Sequence, residues 1–233
     1  MATAELLFVA SEAREFEGLA ARCETVRPLL WPVLWSRAGT LGGRSVLLIA
    51  NGVGSCRAAQ AVRVAAERRP IAAVVSVGYC GALEKRLAIG DIFVATCIDS
   101  GGRRIPVGVP EAAGRFTSGP IASVDRVARS AAAKAALRQR GAYAVEMEAA
   151  GILEEAARIG APVFCIRSVT DLADESFVVD FDAALREDGQ FSTGRILCQA
   201  FRKPAAFPEL IRLRRRCQTA SDALGEFLAG CRF

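Results

Sequence analysis

The sequence predicts an α/β protein in which a mostly parallel sheet is covered by helices on both faces. Short runs rich in β-branched residues alternate with alanine-rich helical patterns, as at 72–77 and 55–68. Strands that alternate with helices in this way build parallel sheets with helices on both sides. The run PVFCIRSV at 162–169 has the continuous apolar pattern of a strand buried on both faces. With 233 residues and no low-complexity linker, we expect a single domain over residues 1–233.

The same patterns predict the elements in chain order. Strands are expected at 6–10, in a hairpin over 33–50 with its turn at 39–43, and at 72–77, 91–97, 120–124 and 162–169. Helices are expected from residue 11 and over 55–68, 148–159 and 208–228. The segment 99–116 is rich in glycine, proline and arginine, and it is predicted to be a mobile loop. Because ligands of such sheets bind beyond the carboxyl ends of the strands, the residues after each strand are the candidates for function.

Composition excludes several classes of function. The chain has no histidine, and its eight cysteines form no CxxC pair, so neither a metal site nor a histidine-based relay is expected. Cysteines scattered in apolar strands, such as Cys97 and Cys165, are typical of a reducing compartment, which favours the cytoplasm. All apolar runs stop well short of the about 18 residues of a membrane span. The N-terminal stretch MATAELLFVASEARE lacks a basic leader, so no signal peptide is predicted.

The charge and the hydropathy of the chain indicate which kinds of binding partner to expect. The net charge is +5, and the arginines of 212–216 contribute much of it. No aromatic residues interleave with them, so we interpret them as a solvated helix face rather than a nucleic-acid site. Hydrophobic residues make up 52% of the chain, and the mean hydropathy is +0.27. This content predicts buried subunit contacts and therefore a homo-oligomer, a dimer or larger.

Acidic residues and glycine loops cluster at the predicted strand ends. Two glutamates one residue apart interrupt the apolar run AVEMEAAGI, and buried carboxylates require partners. A glycine turn before a helix supplies free backbone N–H groups that bind anions or hydroxyls. The glycine spacing after 50 is not GxGxxG, since position 57 is arginine, which disfavours a dinucleotide site. Together the segments predict one polar pocket that works with acids and backbone donors. The candidates are Glu12, Arg14, Glu15, Gly54, Ser55, Gly78, Tyr79, Glu146, Met147, Glu148 and Asp171.

Several of these segments resemble one family. AVEMEAAGI at 144–152 resembles the ribose-binding motif of the nucleoside phosphorylase and nucleosidase superfamily, and RSVTDLAD at 167–174 resembles its strand-and-SDxAD segment. GYCGAL followed by LAIGDIFVAT is similar to its glycine loop and GDI strand. The segments 51–62 and 180–204 look most like the bacterial hopanoid-associated phosphorylase branch. The resemblance spans nearly the whole chain in the expected order. It implies the phosphorylase-like fold, a three-layer αβα sandwich with a mixed, mostly parallel sheet.

The resemblance implies cleavage of the N-glycosidic bond of a purine nucleoside or a 5′-modified adenosine. Asp171 would be the acid near the purine N7. Glu148 would bind the ribose hydroxyls, Met147 would pack against the sugar, and Glu146 would lie beside the same face. The partner is a small-molecule nucleoside. No cofactor is implied beyond inorganic phosphate as a possible co-substrate.

Two nucleophiles remain open. Phosphorolysis is the first expectation, with Arg14, Gly54 and Ser55 as phosphate ligands. The alternative is a nucleosidase of the methylthioadenosine and adenosylhomocysteine type, in which Glu15 or Glu12 activates water. The glycine loop, with Gly78 and Tyr79 expected to contact substrate, departs from the phosphorylase pattern: Ser76 stands where hexameric phosphorylases carry an arginine, and Tyr79 replaces a small hydroxyl residue.

The base pocket also departs from the family. Val127 stands at the position that normally supplies an aromatic residue to stack on the purine. A pocket of this kind suits a bulky or lipid-like 5′ group, as in adenosylhopane. It also suits a non-catalytic, nucleoside-binding member of the fold.

Overall fold

The computed structural model describes residues 4–233, in which a ten-stranded mixed sheet lies between two layers of helices. The strands are β1 (Glu5–Ala10), β2 (Thr25–Pro28), β3 (Trp35–Leu41), β4 (Arg44–Ala50), β5 (Ile71–Ala82), β6 (Ile92–Ser100), β7 (Arg103–Pro106), β8 (Glu111–Ala112), β9 (Thr117–Ser123), β10 (Ala144–Glu146), β11 (Val163–Asp171) and β12 (Cys231–Arg232). The helices are α1 (Glu17–Ala20), α2 (Ser55–Ala66), α3 (Ala131–Gln139), α4 (Ala149–Arg158), α5 (Phe181–Ala184), α6 (Thr193–Arg202) and α7 (Ala206–Ala229). A 3₁₀ turn over Ala13–Phe16 precedes α1.

The sheet order is β10-β9-β6-β11-β5-β1-β4-β3-β2, with β7 paired to β6. Strands β4, β1, β5 and β11 run parallel, and β6 pairs antiparallel to β11 and parallel to β9. Strand β10 pairs with β9 on one side and with β5 on the other, so five strands close on themselves. In this register Gly81 lies opposite both Val145 and Asp171. The AVEMEAAGI and TDLAD segments are therefore brought to either side of one glycine.

Alternation along β1 divides the core into two layers. Phe8 packs with Leu224 and Leu228 of α7 on one face of the sheet. Val9 points to the opposite face, where it packs with Ala61 of α2 and Ile152 of α4. Because successive strand residues face opposite sides, a fully apolar strand needs a helix layer on each side. The predicted three-layer α/β architecture is confirmed.

Most predicted elements are present, including the hairpin, whose two strands flank a turn at Gly42 and Gly43. The helix expected from residue 11 is instead the 3₁₀ turn followed by the single-turn helix α1. The prediction of a mobile loop over 99–116 is wrong. Strand β7 folds back on β6 through a tight turn at Gly101 and Gly102, and β8 pairs with the C-terminal β12. The polar sequence RRIP carries no apolar alternation, so the pattern concealed this hairpin.

Within residues 4–233, none of the helices combines the length and apolar character that crossing a membrane requires. Residues 1–3, which open the stretch assessed for a signal peptide, lie outside the described residues.

Candidate active site

One cavity of about 380 Å³ opens at the carboxyl ends of β1, β10 and β11. Nine of the twelve candidate residues line it, and they come from five separate segments of the chain. These nine are Glu12, Arg14, Glu15, Tyr79, Val127, Glu146, Met147, Glu148 and Asp171. The other three candidates, Gly54, Ser55 and Gly78, do not contribute to the described lining. Asp171 and Glu148 therefore share one hollow although they are distant in sequence.

Asp171 ends strand β11 and is almost completely buried. Its Oδ2 lies 2.5 Å from the Nζ of Lys134, and its Oδ1 accepts a hydrogen bond from the Thr170 hydroxyl at 3.2 Å. A Cβ added at Gly81 would lie 2.8 Å from Oδ2, so glycine is required for this close approach of β5. Burial raises the pKa of Asp171 above its usual range, against the opposing charge of Lys134. A carboxyl group in this state can act as an acid at the cavity wall.

Glu146 is the anchor of the second acidic segment. Its side chain is fully buried, and its Oε2 lies 2.6 Å from Nη2 of Arg167, which is buried as well. The same oxygen accepts the backbone N–H groups of Glu148 and Ala149, each at 2.9 Å, at the start of α4. Arg167 also donates to the hydroxyl of Ser76 at 2.8 Å. Glu146, expected beside the sugar, thus uses its described contacts to join β10, β11 and the first turn of α4.

Glu148 follows two residues later and faces the cavity. Its Oε1 accepts the backbone N–H of Gly54 at 3.1 Å, and its Oε2 accepts that of Met147 at 3.3 Å. Burial, followed by the charge of Glu146, raises the pKa of Glu148 to about 8. A carboxyl group held in this way has free lone pairs for a hydroxyl-bearing ligand.

Glu15 presents the most firmly held carboxylate of the site. Its Oε2 accepts hydrogen bonds from the backbone N–H and the hydroxyl of Ser11 and from the backbone N–H of Glu12, all at 2.8 Å. Its Oε1 accepts a single hydrogen bond, from the backbone N–H of Tyr79 at 3.1 Å. A Cβ at Gly78, whose φ is +138°, would lie 2.6 Å from Oε1. The carboxylate is therefore fixed, and Oε1 retains capacity for one further donor.

The three candidate phosphate ligands do not converge. Arg14 reaches the cavity, but its guanidinium is ion-paired with Glu12. The backbone N–H of Gly54 is donated to Glu148, and the hydroxyl of Ser55 donates to the carbonyl of Met147 at 3.2 Å. Charge-assisted anion binding needs several donors aimed at one point, and these donors serve other acceptors.

The remainder of the wall is largely apolar and includes aromatic side chains. Phe181 contacts Phe177 and Phe191 edge to face, with ring centroids 5.3 and 5.7 Å apart. All three rings line the cavity together with Val127, so aromatic residues are supplied from the segment 177–191 instead of from position 127. Ile196, Leu210 and Leu213 extend the apolar surface.

Two buried cations were not identified as candidates from the sequence. Arg167 carries a readable signal, because a charged residue within the apolar strand VFCIRSV must have a buried partner. Lys134 carries none: it stands in the alanine-rich run AAAKAALRQ, where few apolar residues indicate which face is buried. Across residues 4–233, no group of three or more acidic or cysteine side chains is arranged to hold a metal ion.

The fold and the cavity define a class of α/β protein with five acidic residues gathered around one cavity at the carboxyl ends of its strands. The family model described as the phosphorylase superfamily matches residues 36–116 and 109–202, which is more than half of the chain. The chain therefore belongs to the phosphorylase superfamily. This confirms the resemblance at the level of the superfamily, and with it the expectation of an enzyme of the nucleoside phosphorylase and nucleosidase type.

Individual relatives are more distant. A 5′-methylthioadenosine/S-adenosylhomocysteine nucleosidase of Bacillus thuringiensis (strain Al Hakam) is 26% identical over 190 residues, covering 68% of this chain and 82% of the relative. The nucleosidase of the same name from Shewanella baltica (strain OS185) is 28% identical over 189 residues, covering 66% and 78%. The expectation of phosphorolysis receives no support from these relatives, which are named as nucleosidases.

Solved structures share the fold at low identity. The Neisseria meningitidis 5′-methylthioadenosine/S-adenosylhomocysteine nucleosidase, in complex with methylthio-immucillin-A, superposes with a TM-score of 0.74 at 20% identity, covering 98% of both chains. A futalosine hydrolase mutant of Helicobacter pylori superposes with a TM-score of 0.72 at 15% identity, again covering 98% of both.

Proposed function

We propose that this chain hydrolyses the N-glycosidic bond of a 5′-substituted adenosine and releases the free base. One observation carries the proposal: Asp171, Glu148 and Glu15 line the same cavity, although they come from three separate segments. The names of the similar relatives support the same chemistry. A protein that only bound nucleosides would have no need for three acids around one hollow.

Each acid has a distinct role in the proposed reaction. Asp171 gives a proton to N7 of the purine as the bond between C1′ and N9 breaks and its electron pair moves onto the base. Glu148 accepts hydrogen bonds from the ribose hydroxyls, and its ionised form favours the cationic sugar. Met147, between the two glutamates, packs against the sugar. A general acid of this kind contributes about 10²–10⁴ in rate.

Water is the proposed nucleophile, and Glu15 is its base. The Oε1 of Glu15 can accept a proton from water as the oxygen bonds to C1′, while four donors keep the carboxylate in place. The dispersal of Arg14, Gly54 and Ser55 among other partners argues against a phosphate site. Glu12 is the weaker candidate for the base, because it is ion-paired with Arg14.

The 5′ substituent is proposed to be apolar. The rings of Phe177, Phe181 and Phe191 give the cavity a hydrophobic wall beyond the acids, and burying a methylene there contributes about 0.8 kcal/mol. A thioether or hydrocarbon substituent fits such a wall better than a free 5′ hydroxyl.

The test is base release measured by chromatography in phosphate-free buffer, with adenosine, methylthioadenosine, adenosylhomocysteine and a longer alkylthioadenosine as substrates. We expect adenine and a free sugar, no stimulation by phosphate, and a kcat/KM that rises with the apolar substituent. Strict phosphate dependence with a sugar 1-phosphate product would instead establish phosphorolysis. Nucleoside binding without base release would leave only a binding role.

A matched pair of variants tests the choice of base. Glu15→Gln should lower kcat by at least about 10², since it removes the proton acceptor. Glu12→Gln, in the same segment, should retain most of the activity. A larger loss of kcat in Glu12→Gln than in Glu15→Gln would make Glu12 the general base.

A further inference from the structure

Lys134 is the one buried residue of helix α3 and also the helix's one lysine. Only 1% of its side chain is exposed, whereas its helix neighbours are exposed or half-buried. An ammonium group is almost never buried unless it is paired, because its desolvation is costly. Its burial therefore requires a reason other than helix packing.

The contacts of the ammonium group supply that reason. Its Nζ lies 2.5 Å from Oδ2 of Asp171 and donates to the carbonyl of Leu172 at 2.6 Å. The ring of Phe177, which lines the cavity, has its centroid 5.6 Å from Nζ. The lysine thus binds the strand end that carries the acid, and it leaves Oδ1 of Asp171 to the hydroxyl of Thr170.

The helix is held so that this contact persists. Ser130 caps α3 by accepting the backbone N–H of Ala133 at 3.1 Å. The backbone N–H of Ala131 donates to Ser176 at 2.9 Å, and that of Phe177 donates to the carbonyl of Arg129 at 2.9 Å. The segment that follows Asp171 is therefore joined to the first turn of the helix that carries Lys134.

We propose that Lys134 is a positioning residue for the reaction: its ammonium group fixes Oδ2 of Asp171 and stabilises the carboxylate that remains once Asp171 has given its proton to the departing base. This inference rests on the proposed function, in which Asp171 is the acid. In the step, the C1′–N9 electron pair moves to the base, the proton leaves the Asp171 carboxyl for N7, and the resulting carboxylate is paired with Lys134.

Other charges near Asp171 do not substitute for the lysine. Glu175 raises the pKa of Asp171, and Arg216 of α7 is engaged by Glu175 at 2.7 and 2.8 Å. The thiols of Cys80 on β5 and Cys217 on α7 also lie near Asp171, and burial raises the pKa of each. Lys134 is the cation in direct contact with the acid among the described residues.

The first test is the pH dependence of kcat/KM for base release by Lys134→Met. Loss of the ammonium removes the charge that favours ionised Asp171, so the alkaline limb should move up by about one to three pH units. The kcat should fall by at least about tenfold, a fraction of the 10²–10⁴ that a general acid supplies, and KM should change little. Lys134→Arg should return the alkaline limb of kcat/KM to its wild-type pH. Arg138→Met, one turn further along α3 and ion-paired with Glu84 instead of Asp171, should leave it unchanged.

A second arm separates this inference from the proposed function and from a folding defect. In an Asp171→Asn background, Lys134→Met should cause no further loss of kcat. This double variant buries no unpaired charge, so a folding defect is not expected from it. A further tenfold loss there would show that Lys134 does not act through Asp171.

In the ligand-free protein, the carboxyl carbon of Asp171 observed by NMR should titrate at higher pH in Lys134→Met than in the wild type. An unmoved titration and an unmoved alkaline limb would overturn the inference. Absence of base release in the wild type would overturn the proposed function, and a moved titration would then leave only the pairing of Lys134 with Asp171.

Discussion

The carboxyl group of Glu148 is buried beside Glu146 and Glu15, and its pKa is raised to about 8 from the ordinary 4.5. Between these two values the folded chain holds a proton that the unfolded chain releases. The free energy of unfolding therefore falls as pH rises from about 4.5 to about 8. Each pKa unit corresponds to about 1.4 kcal/mol.

Glu148→Gln should remove this loss of stability and weaken nucleoside binding at the same time. The Tm of the variant should exceed that of the wild type at pH 9, and the difference should disappear near pH 4.5. Calorimetric titration above pH 8, where Glu148 is ionised, should show weaker affinity, because the ribose hydroxyls lose a charged acceptor. Glu154→Gln, on the exposed side of α4, should show neither effect. An unchanged affinity for nucleoside would remove Glu148 from the binding site.

Asp171→Asn tests the acid itself. Asparagine keeps the shape of the side chain but cannot transfer a proton, so kcat/KM should fall by at least about 10² while the melting curve stays cooperative. Steady-state kinetics on a methylthioadenosine substrate provide the measurement. Asp174→Asn, exposed in the same segment, is the matched control. Activity similar to the wild type in Asp171→Asn would exclude this residue from the mechanism.

At the scale of the elements, the buried pair of Arg167 and Glu146 joins β11 to the first turn of α4. Removing one member of a buried ion pair leaves an uncompensated charge, which costs about 3–5 kcal/mol. Arg167→Met should therefore lower the free energy of unfolding, measured with urea, by about that amount.

The double variant Arg167→Met with Glu146→Gln should recover much of this stability, because no charge is then left unpaired. It should still lose activity if the pair positions Glu148. A single variant that unfolds at the same urea concentration as the wild type would show that the pair contributes little.

Elements differ in how far the sequence predicts them. Strands β1 and β11 are largely apolar runs, and they are predicted at nearly the observed bounds, whereas β5 continues from the predicted 72–77 to Ala82. Strands β2 and β7 are four-residue segments with largely exposed side chains, TVRP and RRIP, and they lack the alternation that marks a strand. Their pairing comes from tertiary context, which a local pattern does not contain.

At the scale of the whole molecule, the site depends on the closure of β10 against β5. The motifs AVEMEAAGI and TDLAD predict which acids bear on function, but not that Gly81 lies between them. From the sequence, Glu15 and Glu12 are alternative bases; our proposal of Glu15 uses its four donors, one of which is the distant backbone N–H of Tyr79. Lys134 has no sequence signal, since its burial is decided by the chain segment after Asp171.

The central claim is that Asp171 and Glu148 act on a single nucleoside, and a crystal structure of Asp171→Asn with methylthioadenosine tests it most directly. We expect the purine N7 within hydrogen-bonding distance of the side chain at 171, both ribose hydroxyls on Glu148, and a water molecule between Oε1 of Glu15 and C1′. A nucleoside bound outside this cavity, or within it but with its sugar away from Glu148, would show that the two acids do not act on one substrate.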